Sequence, residues 1–163
     1  MIAMTPKSLL RLPAATSEVR ELAEGRFQPV LEEPGTAGRR EEITRLLLCS
    51  GKVYYDLQAH ETRADARRVA IGRVEDLYPF PVGAVEALLT GYPKLAEVVW
   101  VQEEPRNMGA LTFFVGPRLR AVVPRQLPLR HIARPERAST AEGKHSDHVK
   151  EQDRIVREAL AAD

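Results

Sequence analysis

Two groups of polar residues in this sequence could bind a ligand, and each follows an apolar segment. The first group is Ser50, Gly51 and Lys52. A hydroxyl, an ammonium group and free backbone N–H groups at a helix start suit a phosphate or a carboxylate. The group is not a P-loop, because Leu46 and Val53 stand where that motif needs its first glycine and its Ser or Thr. On spacing alone, a glycine-assisted turn from a strand to a helix is the favoured interpretation.

The second group lies farther along the chain and consists of Gln102, Glu103, Glu104 and Asn107. Paired carboxylates can act as general acid and base or hold a metal ion. Consecutive residues at a strand end point to opposite sides, however, so joint action on one substrate would need an irregular backbone. We therefore predict that these four residues make polar contacts at a subunit or domain boundary and are not catalysts.

Histidines and N-terminal basic residues give weaker signals. His145 and His148 are three residues apart with Asp147 between them, but no third or fourth ligand is close in sequence. We therefore predict no metal site there. Lys7 and Arg11 give the N-terminal segment a basic side that could contact an acidic ligand or partner, although solvated charge is the commoner explanation.

Short apolar runs alternate with amphipathic stretches from Thr44 onward, a pattern typical of a mainly parallel sheet covered by helices on both faces. We predict four strands, at residues 45–49, 69–75, 98–101 and 129–132. Sheets of this class bind ligands beyond the carboxyl ends of their strands. Both polar groups follow predicted strands, so we expect them on the same edge of the sheet.

Helices should connect these strands and close the domain. We predict them over residues 52–62, through Val85 and Leu89, over 110–122 with an interruption at Gly116–Pro117, and at the C-terminus with Ser146 as its cap. The apolar face of that last helix should carry Val149, Ile155, Val156, Ala159 and Leu160.

The first 43 residues differ from the rest, being rich in Pro, Glu and Arg with a brief helical stretch at 17–23. We predict an N-terminal arm and linker over residues 1–43 and one α/β domain over 44–163. The net charge of +1 provides no field for nucleic acid or an acidic membrane, and no apolar run could cross a bilayer. The single cysteine, Cys49, excludes an internal disulfide and fits the bacterial cytoplasm or the mitochondrial matrix.

Several segments resemble the C-terminal end of the decarboxylase component of 2-oxoglutarate dehydrogenase complexes. They are MTPKSLLR at 4–11, FQPV at 27–30, LLCSGKVYYDL at 47–57, RVEDLYPFP at 73–81 and WVQEEPRNMG at 100–109. Their order and spacing hold over nearly the whole chain. The resemblance implies a three-layer α/β/α domain of the transketolase C-terminal type, with a largely parallel five-stranded sheet.

The resemblance also implies a homodimeric parent enzyme of the tricarboxylic acid cycle. That enzyme decarboxylates 2-oxoglutarate with thiamine diphosphate and Mg²⁺ and passes the succinyl group to lipoyl-lysine on the succinyltransferase component. In this family the cofactor lies between two preceding domains. This sequence has no Gly-Asp-Gly from which the family's diphosphate-magnesium motif could start. We therefore expect no cofactor in this chain and no catalysis by it alone.

The family resemblance has local exceptions and leaves alternatives open. Some members bind acetyl-CoA as an activator through basic residues, where this chain has Val82 and Gly83, and Thr140 replaces a usual proline. Because residues 4–11 resemble the interior of a longer chain, we expect a fragment or a separately encoded part of such a decarboxylase, working in assembly or regulation. The alternatives are a stand-alone sensor, which would bind an acyl-CoA or a nucleotide through the Ser50 group, Lys7 and Arg11, and a degraded reading frame.

Overall fold

A five-stranded sheet lies between two layers of helices in the computed structural model, which describes residues 2 and 5–161. Met4, the first residue of the segment at 4–11, lies outside the described residues. The elements are α1 (Val19–Glu24), β1 (Val30–Glu32), β2 (Arg45–Cys49), α2 (Val53–Ala59), β3 (Val69–Val74), α3 (Val82–Thr90), β4 (Glu97–Pro105), α4 (Gly116–Val122), β5 (Leu129–Arg134) and α5 (His145–Leu160).

The sheet has the order β1-β3-β2-β4-β5. Strands β2 to β5 are parallel, and Leu47 in the centre of β2 pairs with Ile71 of β3 and Val99 of β4. This arrangement confirms the predicted α/β fold with a largely parallel five-stranded sheet. The carboxyl ends of β2, β3 and β4 therefore meet at one edge.

Strand β1 was not predicted, and it lies within the segment predicted as an arm and linker. It runs antiparallel to β3, with Val30 opposite Val74 and Glu32 opposite Gly72. Three half-buried residues on an edge strand are too few to show the two-residue periodicity of a strand. Residues 30–32 thus belong to the sheet, because their backbone groups complete its edge.

Two hydrophobic cores lie on opposite faces of the sheet. On one face Leu46, Leu48 and Trp100 pack with residues of α3 and α4, and on the other Leu47 and Val99 pack with α2 and α5. Successive residues of a strand point to opposite faces. Both faces are covered, so the central strands are apolar without interruption, which explains the continuous runs in the sequence.

Two of the predicted helices differ from the sequence expectations. Helix α2 ends at Ala59 and a 3₁₀ turn, Glu61–Ala64, completes the predicted span. The predicted helix at 110–122 is a π-helical turn, Leu111–Val115, followed by α4, which begins at Gly116. A Cβ at Gly116 would lie 2.5 Å from the Leu111 carbonyl oxygen, so this close approach requires glycine.

The predictions for α5 need two corrections. The helix begins at His145 with Lys144 as its N-cap residue, so Ser146 lies in the first turn and does not cap it. Val149 is 50% exposed, whereas Ile155, Val156, Ala159 and Leu160 are buried. The four buried residues lie in the last two turns of α5, whereas Val149 lies near its N-terminal end. None of the helices in the described residues is long and apolar enough to cross a membrane.

Truncating Ile155 to alanine should lower the free energy of unfolding by about 2–5 kcal/mol, because the side chain is fully buried against the sheet. The matched control on the same helix, Val149→Ala, should change it by less than about 0.5 kcal/mol. Urea unfolding followed by circular dichroism measures both values. Equal losses in the two variants would contradict this assignment of the buried face.

Candidate functional site

The two predicted polar groups meet at the carboxyl edge of the sheet, where a cavity of about 550 Å³ opens between the ends of β2 and β4. Its wall combines polar side chains with apolar and aromatic ones. The lining residues are Pro6, Ser50, Gly51, Lys52, Leu77, Tyr78, Trp100, Gln102, Glu103, Glu104, Gly109, Ala110 and Phe114. Parallel pairing of β2 with β4 brings residues 50–52 and 102–104 together, although about fifty positions separate them in sequence.

Lys52 is paired with carboxylates on its own side of the cavity. Its Nζ forms an ion pair with Asp56 and lies 3.7 Å from Glu103 Oε1. Gln152 Nε2 joins the same group, donating to Asp56 Oδ2 at 2.8 Å and to Glu103 Oε1 at 3.0 Å. The charge of Lys52 is therefore already compensated, which weighs against an anion binding there.

The turn after β2 requires glycine at position 51. Gly51 has a φ of +74°, a left-handed conformation that side chains disfavour, and Ser50 is half-buried beside it. Helix α2 begins at Val53, with Lys52 as its N-cap residue and no side-chain cap hydrogen bond. The local backbone thus matches the glycine-assisted strand-to-helix turn that the spacing favoured.

Glu103 and Glu104 point to different surroundings, as alternation at a strand end predicts. Glu103 is half-buried and faces Lys52 and Gln152, whereas Glu104 is exposed and its side chain lies beside Gly109. Burial raises the pKa of the Glu103 carboxyl, and the nearby carboxylates of Asp56 and Glu104 act in the same direction against the opposing effect of Lys52. The cavity therefore holds a carboxylate whose charge is poorly solvated.

Gln102 shapes the loop that follows β4. The side chain is buried, and its Nε2 donates to the carbonyl oxygens of Glu104 at 3.3 Å, Pro105 at 3.0 Å and Met108 at 2.9 Å. Its Oε1 accepts from Trp100 Nε1 at 3.1 Å. All hydrogen-bonding groups of this amide are thus used within the chain, so Gln102 fixes the shape of the cavity wall.

Asn107 fastens the same loop to the segment after β5. Its Nδ2 donates to the Arg137 carbonyl oxygen at 2.9 Å, and its Oδ1 accepts from the Arg137 N–H at 3.2 Å. Asn107 is exposed at the surface and does not line the cavity. Its predicted role as a boundary contact stays a prediction.

The aromatic wall was not among the residues selected from the sequence. Tyr78 follows β3, is 74% exposed and lines the cavity together with Phe114, which is 45% exposed. Phe113, beside Phe114, is 75% exposed. The position of Tyr78 shortly after β3 could have indicated it, because β3 ends at the same edge of the sheet as β2 and β4.

Lys7 and Arg11 lie on an exposed 3₁₀ turn, Lys7–Arg11, in the N-terminal segment. Pro6 lines the cavity, but neither basic side chain is among its lining residues. The structure therefore brings the N-terminal segment to the cavity through Pro6 without placing the two predicted basic residues in its wall.

His145, His148 and Cys49 were considered as site residues on their types and spacing. The rings of His145 and His148 lie 6.2 Å apart, and His148 Nδ1 is 3.0 Å from Arg134 Nη2. Within the described residues, no group of three or more His, Cys, Asp or Glu side chains could hold a metal ion. Burial raises the pKa of the Cys49 thiol, which keeps it protonated and a poor nucleophile at neutral pH.

Replacing Gln102 with leucine should lower the free energy of unfolding by about 1–3 kcal/mol, because buried hydrogen-bonding groups lose their partner. Amide hydrogen exchange in the loop at 104–109 should also accelerate. The control Gln126→Leu changes an exposed glutamine in the same way and should leave both measurements unchanged. An unaltered exchange rate in the Gln102 variant would refute the supporting role.

Replacing Glu103 with glutamine should stabilise the protein increasingly as the pH rises. The pKa of Glu103 is higher in the folded protein than in the unfolded chain. Protonated Glu103 therefore contributes to the free energy of unfolding at acid pH, and this contribution is lost as the pH rises through the pKa of the folded state. Glutamine cannot ionise and escapes this loss. Urea unfolding from acid to neutral pH measures the difference, and Glu41→Gln at an exposed site is the control. A constant difference between wild type and Glu103→Gln would contradict the prediction.

Comparison with known proteins identifies the family of this chain. The family model described as 2-oxoglutarate dehydrogenase C-terminal matches residues 16–160. The chain is 48% identical over 162 residues to the 2-oxoglutarate dehydrogenase E1 component of Bacillus pumilus, and 46% identical over 162 residues to that of Bacillus subtilis. Each match covers 98% of this chain and 17% of the relative, so the chain spans about a sixth of the length of these relatives.

A solved structure shares the fold at low sequence identity. It is described as a split gene transketolase, an inactive beta4 tetramer, and it matches with a TM-score of 0.51 and 17% identity over 83% of this chain and 43% of that one. This similarity confirms the transketolase-like fold, and the sequence matches confirm the predicted family resemblance. The chain therefore belongs to the 2-oxoglutarate dehydrogenase C-terminal family.

Proposed function

We propose that this chain is the C-terminal assembly domain of the decarboxylase, or E1, component of a 2-oxoglutarate dehydrogenase, and that it does not catalyse alone. The observation that carries the proposal is the match of nearly the whole chain to about a sixth of the E1 relatives. The parent reaction is the decarboxylation of 2-oxoglutarate with transfer of the succinyl group to lipoyl-lysine. The bacterial relatives favour the cytoplasm as its location.

Exposed apolar side chains support an assembly role. In the N-terminal segment the structure exposes Leu10, Val19, Leu22 and Phe27, and at the cavity mouth it exposes the aromatic wall already described. These side chains give both regions apolar surface that contact with another protein domain would bury. We infer that these surfaces pack against the preceding domains of the parent enzyme and its homodimer mate, and border the entrance used by the lipoyl arm.

The residues of this chain do not fit thiamine diphosphate with Mg²⁺. The described residues contain no cluster of acidic or histidine ligands that could hold the metal ion, and the sequence contains no Gly-Asp-Gly. In the proposal, the cofactor and the metal ion are held by other domains of the parent. The work of this chain is then to cover and position those domains.

The alternative of an acyl-CoA or nucleotide sensor has less support. It requires Lys52 to meet a phosphate, but Lys52 is already paired with Asp56 and Glu103. Lys7 and Arg11 do not line the cavity. Calorimetry with acetyl-CoA and AMP distinguishes the two functions, because a domain that serves only in assembly should give no saturable heat.

The isolated chain should show no decarboxylation of 2-oxoglutarate with thiamine diphosphate and Mg²⁺, because the cofactor ligands are not in it. A chimera should show turnover, in which this chain replaces the matching region of the Bacillus pumilus relative. An artificial electron acceptor coupled to the reaction measures both rates. The relative with the matching region deleted is the control and should be inactive. Turnover by the isolated chain above a buffer blank, or an inactive chimera that folds and dimerises, would reject the proposal.

A further inference from the structure

The cavity at the sheet edge has the wall of a docking site for a positively charged side chain. Tyr78 and Phe114 expose aromatic surface at its mouth, and Leu77, Trp100 and Ala110 provide apolar surface within it. An opening of about 550 Å³ is large enough for a long side chain and part of its backbone. The methylene groups of a long basic side chain would bury apolar surface against this wall, which favours binding.

The charges around the cavity are predominantly negative. Among the lining residues in the described part of the chain, Lys52 is the one cation, and Glu103 and Glu104 are carboxylates. Asp56, which forms an ion pair with Lys52, adds a third negative charge directly behind the wall. The lining residues thus carry one positive and two negative charges, and Asp56 pairs with the positive one, so the cavity complements a cation.

We propose that this cavity receives an arginine side chain from the part of the decarboxylase that lies outside this chain, an inference that rests on the proposed function. A guanidinium group is planar and stacks on aromatic faces such as those of Tyr78 and Phe114. It also donates several hydrogen bonds in one plane, a geometry that suits a single carboxylate such as the exposed one of Glu104, while the half-buried Glu103 adds negative charge to the wall. The donor belongs to the parent enzyme, because about five-sixths of the length of the E1 relatives falls outside the match.

Two features of the site support a cation over an anion. The ammonium group of Lys52 has carboxylate partners and a neighbouring amide, Gln152, which holds those carboxylates in place. Burial raises the pKa of Glu103, so an added positive charge would relieve the cost of its ionisation. A phosphate at the same place would meet the carboxylates of Glu103 and Glu104 and a lysine that is already paired.

The test is a titration of the 163-residue chain, followed by ¹H–¹⁵N NMR, with N-acetyl-arginine amide as the probe. N-acetyl-citrulline amide has nearly the same shape without the charge and is the matched ligand control, and inorganic phosphate tests the anion. We expect saturating shifts at the amides of Lys52, Tyr78 and Glu104 with the arginine probe. Citrulline should bind at least about tenfold more weakly, and phosphate should give no saturation.

Variants locate the binding in the cavity. The double variant Glu103→Gln/Glu104→Gln should bind the arginine probe at least about tenfold more weakly. The control is the double variant Glu41→Gln/Glu42→Gln, which changes two exposed neighbours in sequence away from the cavity and should leave binding unchanged. Tyr78→Ala removes an exposed ring, so it should fold normally and also weaken binding. Thermal melting followed by circular dichroism checks the fold of every variant.

The outcomes separate this inference from the proposed function. Four results would each overturn the proposal that the cavity receives an arginine. They are no saturation with the arginine probe, equal binding of the citrulline probe, saturation with phosphate, and equal effects of the two double variants. None of these results depends on turnover by the chimera, which tests the proposed function. If the chimera is active but the arginine probe does not bind, the proposed arginine site is rejected and the proposed assembly role is retained.

Discussion

The parallel pairing of β2 with strands on both sides is the constraint on which the rest of the structure depends. Its five residues are buried, and each pairs with a residue of β3 and a residue of β4. Burial on both faces fixes the register, because a shift by one residue would exchange the side chains of the two cores. The same register places the ends of β2 and β4 side by side and thereby creates the cavity.

Compensation of charge within the cavity determines which chemistry it can support. A lysine after a glycine turn suggests an anion site when it is considered alone, but Asp56 and Glu103 occupy its ammonium group. The result is a surface that is apolar in its wall and negative in its charge. Such a surface suits a basic segment of a neighbouring protein domain better than a free phosphate.

The buried amide of Gln102 connects the core to this surface. It links the Trp100 indole within the sheet to two carbonyl oxygens at the end of β4 and one in the loop that follows. The end of β4, which carries Glu104, and the loop that follows it are therefore held by the core. A prearranged wall of this kind binds a partner with a smaller loss of conformational entropy.

Sequence patterns alone determined much of this fold and its family. Short apolar runs predicted the central strands β2 and β4, because strands buried on both faces must be apolar throughout. Long segments such as 100–109 indicated the family. The i, i+4 spacing of Lys52 and Asp56 could also have predicted their ion pair.

Tertiary structure decided the features that depend on distant contacts. Strand β1 is defined by its pairing with β3, some forty residues later, and carries no periodic signal of its own. Gln152 reaches Asp56 and Glu103 only because α5 packs on the same face of the sheet as α2. The sign of the charge in the cavity followed from these contacts, because a side chain's electrostatic surroundings depend on its neighbours in space and not on those in sequence.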